Sequence, residues 1–192
     1  MISKTLASII WLLFFCTVSG YGQTVYDTFD RPPRKLHLIS KSGVKASENL
    51  IVKNPYRDAV NKSDSCLEYK RFSNIKYDHL KMNPGLLENV GAYLKGKKKI
   101  SILFYSPAAG VTVELILQHA PTADGDYPKG RHSIFRTVTL SENTWELLTF
   151  EYIFQPDSET DPAGINQFVL QVAPGSNNGD TYYFDNLKGP NY

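Results

Sequence analysis

The chain has 192 residues, with 21 basic against 19 acidic side chains, 12 tyrosines, 10 phenylalanines and 2 cysteines. So balanced a charge builds no field that would steer nucleic acid or anionic lipid, and neither is expected as a partner. The cysteines are Cys16 and Cys66, and with the first in a leader the remaining chain has no disulfide to form, so its stability must come from a core or from a core and a metal together.

Lys4 is followed by an apolar run from Ala7 to Val18 and then by the small residues Ser19, Gly20 and Gly22. That order of basic, apolar and small residues predicts a secretory signal peptide over residues 1–22. The run is shorter than the ~20 residues a membrane span needs, and no later run is longer, so no membrane span is expected. Cleavage after Gly20 or Gly22 would fit, and the second leaves Gln23 first, a residue able to cyclise. Cys16 does not read as a lipoprotein cysteine, because Phe15 stands where that signal needs a small residue. A secreted, periplasmic or cell-surface location is expected, with residues 23–192 as one domain of ordinary size.

Beyond residue 23, β-branched and aromatic residues alternate with polar ones in short runs broken by Gly, Pro, Asn and Asp, the pattern of an all-β domain. About ten strands are predicted, over 24–29, 36–40, 44–52, 65–72, 99–106, 111–119, 133–140, 145–154, 166–172 and 181–187. The clearest pair flanks Pro107-Ala108-Ala109-Gly110: Ile100, Ile102 and Phe104 share one face, and Val111, Val113, Leu115 and Leu117 share another, so the two read as one ribbon burying one side. Residues 84–94 carry Leu86, Leu87, Val90, Tyr93 and Leu94 at helical spacing and are the one helix expected, as one or two turns covering an open end. Asp157 to Gly164 reads as a flexible connection, and Lys95-Gly96-Lys97-Lys98-Lys99 as a solvated turn protecting an edge or, more sharply, meeting an acidic polysaccharide. Strands with one apolar face each fit two facing sheets, so a two-sheet antiparallel β-sandwich of jelly-roll type is predicted.

Four stretches carry a resemblance: Asp27-Thr28-Phe29-Asp30, the segment 54–64 that starts Asn54-Pro55-Tyr56-Arg57, Trp145-Glu146-Leu147-Leu148-Thr149-Phe150, and Tyr182-Tyr183-Phe184-Asp185-Asn186-Leu187. In this order they resemble the carbohydrate-binding modules and related non-catalytic β-sandwich domains of the galactose-binding-like class, found in secreted proteins of polysaccharide-degrading bacteria. The resemblance implies binding of a polysaccharide or oligosaccharide on a concave sheet face or at loop tips, and one structural calcium near the terminal strands. Such modules are usually joined to a catalytic domain, so a single module implies a separate secreted enzyme as a partner.

An ionised carboxylate in the apolar strand around Asp185 needs a compensating cation or donor. Asp30, Glu48 and Asp185 are the candidate calcium ligands if the first and last strands are neighbours, since hard cations gather several oxygens; the alternative is that the two aspartates accept backbone hydrogen bonds. A sugar needs flat apolar surface with polar side chains at its rim. Tyr77, Tyr105 and Tyr127 are the candidate platforms, and Glu114, Gln118, His119, His132 and Arg136 the candidate hydrogen-bonding groups; Trp145 is expected in the core. No catalytic residue is assigned. Glu114 with Glu146 or Glu151 would be the pair for a glycoside hydrolase, and Tyr105, His119 and Arg136 the set for a polysaccharide lyase. The remaining alternative is a structural or protein-interaction module of a secreted assembly.

Overall fold

The computed structural model describes residues 23–190 apart from Pro33, Ser47, Gly125 and the side chain of Glu48. The expected signal peptide lies outside the described residues. In chain order the elements are β1 (Thr24–Asp27), β2 (His37–Lys41), β3 (Val44–Lys45), a 3-10 turn (Glu48–Leu50), β4 (Ile51–Lys53), β5 (Ser65–Lys70), β6 (His79–Asn83), α1 (Val90–Leu94), β7 (Ile100–Ser106), β8 (Thr112–Gln118), α2 (Ala120–Ala123), β9 (Arg131–Val138), β10 (Thr144–Phe154), a second 3-10 turn (Pro162–Gly164), β11 (Gln167–Val172) and β12 (Thr181–Gly189).

The strands form a two-sheet antiparallel β-sandwich, as expected. The first sheet runs β4-β5-β12-β7-β10, with β1 also on β12, and the second runs β10-β9-β8-β11-β6-β2-β3. β10 belongs to both: its residues 144–150 pair with β7, and from Glu151 onward it pairs with β9. First and last strands are indeed neighbours, through Thr24↔Gly189 and Val25↔Lys188.

Three expectations are corrected. β7 and β8 are not one ribbon: β7 lies between β10 and β12 in the first sheet, and β8 between β9 and β11 in the second. Period-two patterning fixes which face is buried but not the neighbour, and the short turn with Gly110 at φ 76° crosses from sheet to sheet. The strand predicted over 44–52 is broken by the turn at Glu48–Leu50, and its pieces β3 and β4 lie at opposite ends of the strand order. The one or two turns of helix expected within 84–94 form only at its end, over Val90–Leu94; positive φ at Gly85 and Asn89 keeps the preceding residues out of helix, while Leu87, Val90 and Tyr93 still reach the core.

The core fills the space between the sheets with Ile100, Ile102 and Phe104 from β7, Val113, Leu115 and Leu117 from β8, Phe168 and Leu170 from β11, and Tyr182 and Phe184 from β12. Each such side chain contributes about 1.5–3 kcal/mol by leaving water. β7 is buried at all seven positions. Its outward side chains Leu103 and Tyr105 join Cys66 and Trp145 in a second cluster on the far face of the first sheet. Segment 54–64 folds over that face, held by its own turns: Asn54 Oδ1 accepts from the Tyr56 amide at 3.0 Å, and Asp58 Oδ1 from the amides of Val60 and Asn61 at 2.8 Å.

One buried guanidinium ties three turns together. Arg71, 2% exposed, donates to the carbonyls of Ile75, Lys76 and Ser176 at 3.1, 3.0 and 3.2 Å and to Asn178 Oδ1 at 2.6 Å. Nearby, Asp78 is fully buried, accepts from the Phe72 amide at 2.7 Å, and faces Lys41 Nζ at 3.8 Å.

Candidate functional site

In β8 the inward residues are apolar, which leaves Glu114, Ile116 and Gln118 on the outer face of the second sheet. The register extends each of these into a row across neighbouring strands. Glu151, Arg136, Glu114, Gln171 and His79 are successive partners across β10, β9, β8, β11 and β6. One step of two residues along, Phe154, Ile134, Ile116, Val169 and Lys81 form the next row, and Arg131, Gln118 and Gln167 the third. An apolar band therefore lies between two polar rows. Its four apolar members span three interstrand spacings, about 14 Å, with Lys81 closing the row and each polar row roughly 7 Å to its side. Ile134 and Val169 are only 7% and 5% exposed, because short branched side chains sit low between the longer ones flanking them.

The charges on this face are paired. Arg136 donates to Glu114 Oε1 from Nε at 2.8 Å and stands at 2.6 Å from it through Nη2. Lys81 Nζ lies 3.4 Å from Asp124 Oδ1, and Lys99 pairs with Glu151. Arg131 donates to the Lys129 carbonyl at 2.9 Å and lies 5.7 Å from the centre of the Tyr127 ring. The amides of Gln118 and Gln167 are bonded to each other across β8 and β11.

At the end of this face a cleft of about 580 Å³ opens between α2 and the acidic connection, lined by His119, Thr122, Lys129, Asp157, Glu159 and Asp161 among others. The connection is held rather than loose. Asp157 Oδ2 accepts from Thr160 Oγ1 at 2.6 Å and the Gly130 amide at 2.8 Å, and Oδ1 accepts from the Glu159 amide at 3.1 Å. These bonds, the one from Thr160 foremost, hold its carboxyl below the usual range. His132 is 2% exposed, with Nδ1 lacking a hydrogen-bond partner among the described residues. Burial pushes its pKa down, against the opposing pull of Asp161 and Asp157.

The structure thus gathers Glu114, Gln118 and Arg136 on one face, with His119 in the cleft at its end and Tyr127, 64% exposed, in the loop beside it. Tyr105 is on the opposite sheet, 7% exposed beneath Tyr56, and Tyr77 is 61% exposed in the turn before β6. Trp145, 2% exposed, is in the second cluster, as expected of a core residue. Glu146 accepts from the Leu140 amide at 3.1 Å, and so serves a turn. The reading of the sequence did not single out Ile134, Val169, Phe154, Gln167 or Gln171; the alternation of β11 was the available signal, but its neighbours were not.

No family model matches the chain, and no curated protein does. Solved structures do. An arabinose-bound α-L-arabinofuranosidase aligns at TM-score 0.52 and 16% identity over 88% of this chain and 26% of its own. An exo-β-agarase aligns at TM-score 0.51 and 13% identity over 88% of this chain and 25% of its own. The likeness is one of fold. This chain spans about a quarter of the length of either enzyme. A family 11 carbohydrate-binding module of a cellulosomal cellulase from Clostridium thermocellum is matched over 87% of this chain and 93% of its own, at 15% identity and TM-score 0.48.

The expected calcium ligands can be placed in part. Asp185 is fully buried, and its Oδ1 accepts from the Asn186 amide at 2.7 Å while Oδ2 has no hydrogen-bond partner among the described residues. Burial pushes its pKa up to about 6, with Ser63, Asn186 and Asn61 favouring the ionised form and Asp30 opposing it. Asp30 Oδ1 accepts from the Ser65 amide at 2.9 Å. Among the described residues no three His, Cys, Asp or Glu side chains converge as a metal site, and the Glu48 side chain lies outside them. The unpartnered Oδ2 is an oxygen a hard cation would suit, but two carboxylates alone do not close a ligand set.

Proposed function

We propose that this chain is a non-catalytic carbohydrate-binding module, and that a glycan chain lies along the low apolar band across β10, β9, β8 and β11. The observation that carries this reading is the band itself. Phe154 and Ile116 offer the accessible part of an apolar floor to the C–H faces of sugar rings, completed below by the buried Ile134 and Val169; the half-buried Gln171 stands beside it as a neutral donor and acceptor for hydroxyls, and the nearly buried Gln118 and Gln167 spend one donor and one acceptor on each other. A row running across strands suits a linear ligand.

The likeness in fold to regions of an arabinofuranosidase and an agarase supports the reading, since both enzymes act on sugars. The signal peptide expected over residues 1–22 and a role beside a separate secreted enzyme belong to the same proposal. Affinity electrophoresis through gels containing laminarin, xylan, mannan or agarose tests it. Retardation in one gel that is lost in a folded Gln118→Ala, Gln167→Ala double variant supports the band as the site. No retardation in any gel by a protein with a cooperative thermal transition would count against sugar binding.

A further inference from the structure

We infer that the ligand of this face is an uncharged glycan, and that the ion pair between Glu114 and Arg136 is what turns away chains bearing uronates. The inference rests on the carbohydrate-binding reading above. Capture of a sugar carboxylate calls for a guanidinium or ammonium with donors to spare, best of all a forked arginine. Arg136 stands second in the row Glu151, Arg136, Glu114, Gln171 and His79, where such a group would be wanted, but its charge is already matched by Glu114, one oxygen of which takes two of its nitrogens at 2.8 and 2.6 Å.

Glu114 is 9% exposed, so this carboxylate is held on the face and does not swing freely into water. An incoming uronate would have to displace it and leave it desolvated beside a second negative charge. The other cations bordering the rows are engaged as well: Lys81 with Asp124, Lys99 with Glu151, and Arg131 with the Lys129 carbonyl and the Tyr127 ring. What the face offers a ligand is then apolar floor and the neutral amide of Gln171. Both suit hydroxyls and C–H groups, and neither neutralises a carboxylate.

The test compares the secreted chain in gels of neutral polysaccharides (laminarin, xylan, mannan) and acidic ones (alginate, polygalacturonate), at low and high salt. The expected result is retardation in a neutral gel and none in the acidic gels. Glu114→Gln keeps the side chain's size but frees Arg136, and should gain at least tenfold in affinity for an acidic gel, a gain that added salt removes. Arg136→Gln removes the cation, should make no such gain, and checks the assignment if Glu114→Gln does not fold. Retardation of the unaltered chain by alginate or polygalacturonate would overturn the inference while leaving the carbohydrate reading in place. Neutral binding without any acidic gain in a folded Glu114→Gln would overturn the role of the ion pair. No retardation in any gel would remove the carbohydrate reading and the inference together.

Discussion

The ring of Tyr56 lies flat on that of Tyr105, with centroids 4.1 Å apart and planes 3° from parallel. Tyr56 comes from the covering segment 54–64 and Tyr105 from the central strand β7, so this contact fastens a surface loop to the sheet beneath it. Tyr183 meets both rings edge-on, at 5.6 and 6.0 Å.

Tyr56→Ala should therefore loosen the cover and cost about 2 kcal/mol, from the lost stack and the apolar area it shields. Cys66 reports on the same event. Its thiol is fully buried, with burial pushing its pKa up to about 12, and is inert while the cover is closed. Faster labelling by a thiol reagent is expected in the variant under native conditions. Unchanged labelling together with an unchanged urea midpoint would show that the loop is held by its own turns.

Arg71→Met should lower stability by about 3 kcal/mol, read as a fall in urea midpoint at constant m-value. The guanidinium satisfies three carbonyls and an amide oxygen from separate turns, and a methionine leaves them buried without donors. A loss of less than ~1 kcal/mol would mean that water replaces it.

His132 carries a pH dependence. Its folded pKa is depressed by burial, so the folded state disfavours its charged form. The stability tied to it is intact above its unfolded value of about 6.5 and is lost as the pH falls through the folded value. In His132→Gln the fall in melting temperature between neutral and mildly acidic pH should be shallower than in the unaltered protein. Parallel pH curves for the two would contradict this assignment.

Asp185 has the opposite sign. With its folded pKa raised to about 6, its contribution is fully present below the unfolded value of about 4 and is lost as the pH rises through 6. In chelator, Asp185→Asn should match the unaltered protein in acid and exceed its stability above neutrality, by up to about 3 kcal/mol. If a cation sits at Asp30 and Asp185, calcium raises the melting temperature of the unaltered protein alone. Equal calcium response in both proteins would exclude Asp185 as a ligand.

The sandwich was legible because nearly every long strand carries its apolar residues at period two, which names the buried face without any knowledge of neighbours. Pairing was not legible for the same reason: β7 and β8 bury their inner faces equally well side by side or across a core. β6 escaped notice because His79, Lys81 and Asn83 outnumber Leu80 and Met82, so a sheet strand with a polar outer face reads as loop. Glu114, Gln118 and Arg136 could be grouped by parity along two strands. The apolar floor between them could not, since it comes from register across three strand pairings. Tyr105 looked like an exposed platform because its cover arrives from a segment about fifty residues earlier, a relation that no local pattern carries.

β10 passes from one sheet to the other within a single unbroken strand. It acts as the spine of a book whose two covers are the sheets, so any splaying of the sandwich has to occur at the fore-edge, where β4 and β3 end the strand order, and not at the spine. The rows of the outer face begin at β10, so one end of the apolar band is anchored to this spine. The other end, at Val169 with Lys81 of β6 beyond it, lies toward the leaves that can fan, and adjustment to ligands of different girth is expected there.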